Sequence, residues 1–95
     1  MTLEQKAEIA FKEMRKFYAE KDALALRGAV HVGSLGNEDF FGMDSDLELV
    51  INFGAIAVSE NGRHRFLSAF DFWDAERKKS FMKHEQVFRF PLEAR

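Results

Sequence analysis

The sequence predicts one α+β domain, an amphipathic N-terminal helix (or two) packed on a mostly antiparallel sheet of about four strands. The observations behind this are the three- and four-residue recurrence of apolar residues before position 25, the strict alternation that starts at Asp46, and an Asn-Gly pair set between two apolar runs. With 95 residues the chain has room for a single domain and one modest core. No repeat, low-complexity stretch or linker divides it, so residues 1–95 are treated as one unit.

Thr2 followed by Gln5 has the form of a capping box, in which the first residues of a helix satisfy each other's donors. From there Leu3, Ala7, Ala10, Phe11, Met14, Phe17, Tyr18 and Leu24 share one helical face. Glu4, Lys6, Glu8, Lys12, Glu13, Lys16 and Glu20 fall elsewhere. Gly28 is placed to end this helix, with Arg27 complementing its dipole. Asp22 equally suits the cap of a separate short helix through Leu26, so one helix and two are both open.

Ala29-Val30-His31-Val32 reads as a short strand that stops at Gly33-Ser34. Residues 35–45, with Gly36, Gly42 and several acids, read as a loop with at most one helical turn. From Asp46 to Phe53, Leu47, Leu49, Ile51 and Phe53 face one side, and Asp46, Glu48, Val50 and Asn52 the other. Gly54 suits a bulge that returns Ile56 and Val58 to the apolar face. Asn61-Gly62 is a two-residue hairpin signal because both residues tolerate positive φ. The expected return strand, Arg63 to Trp73, puts Phe66, Phe70 and Phe72 on one face and Asp71 with the polar residues on the other. A turn near Ala75–Lys79 then leads to a last strand, Ser80 to Phe90, with Met82, Phe88 and Phe90 inward and Pro91 as its stop.

Composition narrows the function. Eleven Phe against one Trp and one Tyr imply a core or an interface built from rings without a polar handle. The absence of Cys removes disulfides, thiol nucleophiles and thiolate zinc sites, and makes a cytoplasmic location the expectation. No run approaches the ~20 apolar residues that span a bilayer, and the acid-containing start is unlike a secretory signal, so no membrane role is expected. A net charge of −2 argues against a strongly basic nucleic-acid binder. The charge is uneven: Glu38, Asp39, Asp44, Asp46 and Glu48 form an acidic stretch, and Arg77, Lys78, Lys79 and Lys83 a basic one beside Trp73.

Val32-Gly33-Ser34, then Asp46-Leu47-Glu48-Leu49, and later Phe70-Asp71-Phe72, together resemble the nucleotidyltransferase (DNA polymerase β-like) superfamily, its minimal members above all. The resemblance covers residues 28–72. It implies Mg²⁺ held by Asp46 and Glu48, a nucleotide such as ATP with its phosphates on Gly33 and Ser34, and Asp71 activating an acceptor hydroxyl. Phosphoryl-type transfer is mainly electrostatic, and Mg²⁺ takes hard oxygen ligands, so carboxylates suit the task. Alternation adds a geometric expectation of its own. Acids at i and i+2 of a strand project from one face about 7 Å apart, and the expected hairpin brings Asp71 to the same polar face. A domain this small is expected to need a protein partner or a second copy to complete the substrate site.

The alternative is a cystatin-like or nuclear-transport-factor-2-like domain without nucleotide chemistry. There a pocket between helix and sheet takes a small ligand, lined by Phe66, Phe70, Phe72, Phe88 and Phe90, with His84 inside as base or ligand. A pure interaction module is a third class, with Phe40-Phe41 as an exposed apolar anchor or the last strand pairing in a homodimer. His31, His64 and His84 stand on separate predicted strands, with no metal-ligand spacing between any two.

Overall fold

The computed structural model describes residues 1–16, 25–45 and 54–90. Within them the order is α1 (Leu3–Arg15), β1 (Leu26–Leu35), β2 (Glu38–Ser45), β3 (Ala55–Ser59), β4 (His64–Leu67), α2 (Ala69–Glu76) and β5 (Met82–Arg89). The fold is α+β, and the five strands form one antiparallel sheet in the order β4-β3-β2-β1-β5. The first four strands meander. The chain then crosses by α2 to add β5 on the far side of β1.

The capping box at the start of α1 forms as the sequence implies. Thr2 Oγ1 accepts from the Gln5 amide at 3.1 Å, and Gln5 Oε1 accepts from the Thr2 amide at 2.8 Å. Ala7, Ala10, Phe11 and Met14 are buried against Leu26, Ala29, Phe41, Ile56, Val58 and Phe90 on the sheet. Ile56 and Val58 thus face the helix, while the segment from which a bulge at Gly54 was expected to shift them lies outside the described residues. Phe11 and Phe90 stack at 4.9 Å between centroids. A second, smaller cluster fills the opposite face, where Phe72 and Ala75 of α2 meet Phe40, Ala55, Ala57, Leu67 and Phe81.

The structure corrects several element assignments. Leu26, Arg27 and Gly28 belong to β1 and not to a helix end. β1 runs on through Gly33 and Ser34 to Leu35, and residues 38–45 are strand β2, not loop. The connection is a tight hairpin, with Leu35 paired to Glu38 and Gly36 at φ 63°. Glycine at the first central position is the II′ pattern that matches strand twist. Phe40 and Phe41 are fully buried on opposite faces of β2, so they offer no exposed anchor. The Asn61-Gly62 signal marks a true hairpin, but only Gly62 takes positive φ, at 84°. Gly62 N donates to Ser59 O and Ser59 N to Arg63 O, which closes a three-residue loop instead of a two-residue one.

The return strand ends at Leu67, and residues 69–76 form α2. Ser68 caps this helix by accepting from the Asp71 amide at 3.1 Å, and Asp71 complements the positive end of the helix dipole. The five rings expected to line one pocket are therefore divided. Phe88 and Phe90 pack under α1, Phe72 packs on the opposite face, and Phe70 and Phe66 are exposed. The last strand forms where expected, with Phe88 and Phe90 inward, but Met82 is exposed and not inward. The alternating segment 46–53, the choice between one N-terminal helix and two, and Pro91 lie outside the described residues.

Candidate acid–base site

The helix-facing side of the sheet carries polar residues near the start of α1. Directly opposed residues share a face, so the pairing of His31 with Phe41 turns His31 towards α1. Asp39 lies two residues along β2 from Phe41, on the same face. Register breaks on both sides of β1 between His31 and Gly33 mark a bulge, which aims the local side chains anew. As a result His31, on β1, reaches Asp39 on one neighbour and His84 on the other.

His31 Nε2 is 2.9 Å from Asp39 Oδ1, and His31 Nδ1 is 2.8 Å from His84 Nδ1. His31 is buried at 5% exposure and packs on the Phe41 ring at 5.2 Å, whereas His84 is exposed. Burial pushes the His31 imidazolium below the usual histidine range. The charge and hydrogen bond of Asp39 and a backbone bond at Gly33 pull upward without overcoming it, and the charge of His84 adds to the lowering. Neutral His31 then donates Nε2–H to the carboxylate and turns the Nδ1 lone pair to His84, so the short contact requires His84 to donate Nδ1–H. The other ring nitrogen of His84 has no partner among the described residues.

Asp39 is anchored from its second oxygen. Lys6 Nζ donates to Asp39 Oδ2 and to Glu60 Oε2, both at 2.7 Å. Lys6 is buried to 5% exposure although the helical pattern sets it with the charged residues. Burial alone would lower its pKa, but the bonds and charges of Asp39 and Glu60 outweigh that and raise it, so the ammonium stays charged. Hydrogen bonds from Lys6 chiefly, and from the Met1 amine, hold Glu60 below the usual carboxylate range. Lys6 thus fixes the carboxylate that orients His31.

The residues singled out from the sequence are placed as follows. Gly33 sits inside β1, where a Cβ would run into the Phe81 ring and the Met82 carbonyl oxygen at 2.8 Å. The Phe81 ring beside it explains why the position is glycine. Ser34 pairs with Asp39 and Met82, and so lies on the face of His31 and not at a corner. Asp71 is exposed in the first turn of α2, near enough to Arg65 for its charge to raise that guanidinium, after the larger effect of the Glu38 hydrogen bond. Its expected place on a strand face is thereby corrected. Asp46 and Glu48 lie outside the described residues. No group of three or more metal-ligating side chains occurs among the described residues. On the same face as Asp71, Arg65 grips Glu38 with two bonds of 2.9 Å, and Arg77 stacks on Trp73 at 4.7 Å. The basic stretch therefore uses its aromatic neighbour internally.

The sequence offers His84 as a base or ligand in an aromatic pocket, and it does not show that His31 stands between His84 and Asp39. No local signal pairs His31 with Asp39: regular pairing about the Gly36-Asn37 turn would set Val32 opposite Phe41, and only the bulge between His31 and Gly33 turns His31 to the face of Asp39. No helix among the described residues is long and apolar enough to cross a membrane. Comparison with protein-family models, curated proteins and solved structures found no match for this chain.

Proposed function

We propose that this chain is an acid–base domain in which His84 takes up and returns a proton on a small ligand at the sheet surface. The observation that supports the reading is the 2.8 Å contact between exposed His84 and buried His31, itself tied to Asp39. In neutral His84 the Nδ1–H is committed to His31, which leaves Nε2 as the basic nitrogen on the solvent side. When Nε2 takes a proton from a hydroxyl or water, the new positive charge is stabilised by the stronger Nδ1–H···Nδ1 bond and by the Asp39 carboxylate behind His31. His84 is the general base, and His31 and Asp39 position it. The small-ligand class is kept from the sequence reading, with the ligand over β5 and β1 instead of between helix and sheet.

Hydrolysis of p-nitrophenyl acetate, an ester that free imidazole already attacks, is the generic probe. The folded protein is expected to exceed the same concentration of imidazole, and His84→Ala to remove that excess, at least about a hundredfold in rate. Asp39→Asn is expected to lower the rate and shift its pH profile while His84 stays in place. An unchanged rate in His84→Ala would overturn the reading.

A further inference from the structure

β5 is an outer strand of the sheet, beside β1, and its residues from Met82 to Val87 are exposed. Among the described residues only β1 pairs with it, and an edge of eight residues with one side open is a template for another strand. The direction of its open backbone groups follows from one bond. Phe90 N–H donates to Arg27 O at 3.0 Å, so by alternation Phe88 and Gln86 also turn their backbone groups to β1. Glu85, Val87 and Arg89 then turn theirs outward, and their side chains lie on the face away from α1, opposite to that of Phe88.

We propose that β5 pairs with β5 of a second copy of this chain, antiparallel, with Val87 on the two-fold axis. Charge selects both the partner and the register. With Val87 opposite Val87 of the partner subunit, Glu85 meets Arg89 of the partner subunit twice, once on each side of the axis. Glu85 makes no ion pair among the described residues, and Arg89 binds Asp44 across β1 through Nε at 2.9 Å, so its exposed guanidinium can take a second carboxylate by turning to the edge. Sliding by one pair sets Lys83 opposite Arg89 of the partner subunit, and sliding by two sets Glu85 on Glu85, like on like. The half-exposed Val87 side chain, at 47%, gains an apolar contact on the axis. The three outward pairs supply about six N–H···O bonds and join the two sheets into one.

Sedimentation equilibrium over a concentration series tests this with the full chain. The wild type is expected to dimerise. Val87→Pro removes an N–H that β1 does not use, so it is expected to keep the far-ultraviolet circular dichroism of the wild type and sediment as a monomer. Glu85→Arg puts like charges opposite each other at both symmetric positions and is expected to weaken the dimer about tenfold or more. The double variant Glu85→Arg/Arg89→Glu restores opposite charges and is expected to recover dimerisation. A wild type that stays monomeric throughout, or a folded Val87→Pro that dimerises as the wild type does, overturns the proposal.

Discussion

His31 and His84, 53 residues apart in the chain, meet Nδ1 to Nδ1 at 2.8 Å across β1 and β5, one buried and the other exposed. The pair joins the largely buried Asp39 carboxylate to the solvent through two rings. The protonation of buried His31 therefore bears on folding.

The first expectation concerns pH. The folded-state pKa of His31 lies below its unfolded value, so between the two the unfolded chain binds more protons. The stability from this group is fully present above the unfolded value, about 6.5, and is lost as pH falls through the folded one. The groups that face it are Asp39 and His84, with Lys6 and Glu60 beyond Asp39. Thermal melts are expected to show a falling Tm as pH drops from about 7.5 to about 5.5. His31→Gln, which cannot titrate, should flatten that part of the curve.

Lys6 is the second case. Its side chain is 7% exposed and that of Asp39 17%. Lys6→Met keeps the length but leaves the carboxylate facing an apolar methyl, which costs about 3 kcal/mol, near the low end for a broken buried pair because Glu60 stays in water. Urea denaturation measures it. A loss below about 0.5 kcal/mol would mean that the pair acts as an ordinary surface contact.

Gly33 gives a packing test. Gly33→Ala is expected to destabilise by about 1–3 kcal/mol, because the new methyl meets the Phe81 ring and the backbone of β5. Phe81→Ala removes the ring, so the same substitution in that background should cost less. Equal costs in the two backgrounds would place the conflict in the β5 backbone alone.

Nucleotide and Mg²⁺ decide the fate of the family resemblance. Transfer through Asp46, Glu48 and Asp71 requires that the two ligands together raise Tm by mass action, and that Asp46→Asn abolish the rise. A Tm unaffected by ATP and Mg²⁺ at millimolar concentration leaves the acidic alternation without a nucleotide role.

Legibility followed the range of the interactions. The α1 start, the apolar face of Ala7, Ala10, Phe11 and Met14, and the hairpin at Gly62 all depend on neighbours a few residues away, and each was readable. β2 was not, because adjacent Phe40 and Phe41 feed two cores on opposite faces, and a strand covered on both sides loses its alternation. α2 was hidden by Phe66, Phe70 and Phe72, whose spacing imitates a strand. The Ser68 cap with Asp71 three residues on was the signal against it.

The amino-acid order alone determined the fold class, the N-terminal helix, the hairpin near Gly62 and the final strand. Periodicity, caps and turn residues act within a few positions of one another, so they are written along the chain. Only the tertiary structure decided that His31 lies between Asp39 and His84. That placement needs β5 to cross to the far side of β1, and a bulge to shift the register by one residue. Strand order and register are long-range choices, made by the cores on both faces of the sheet together.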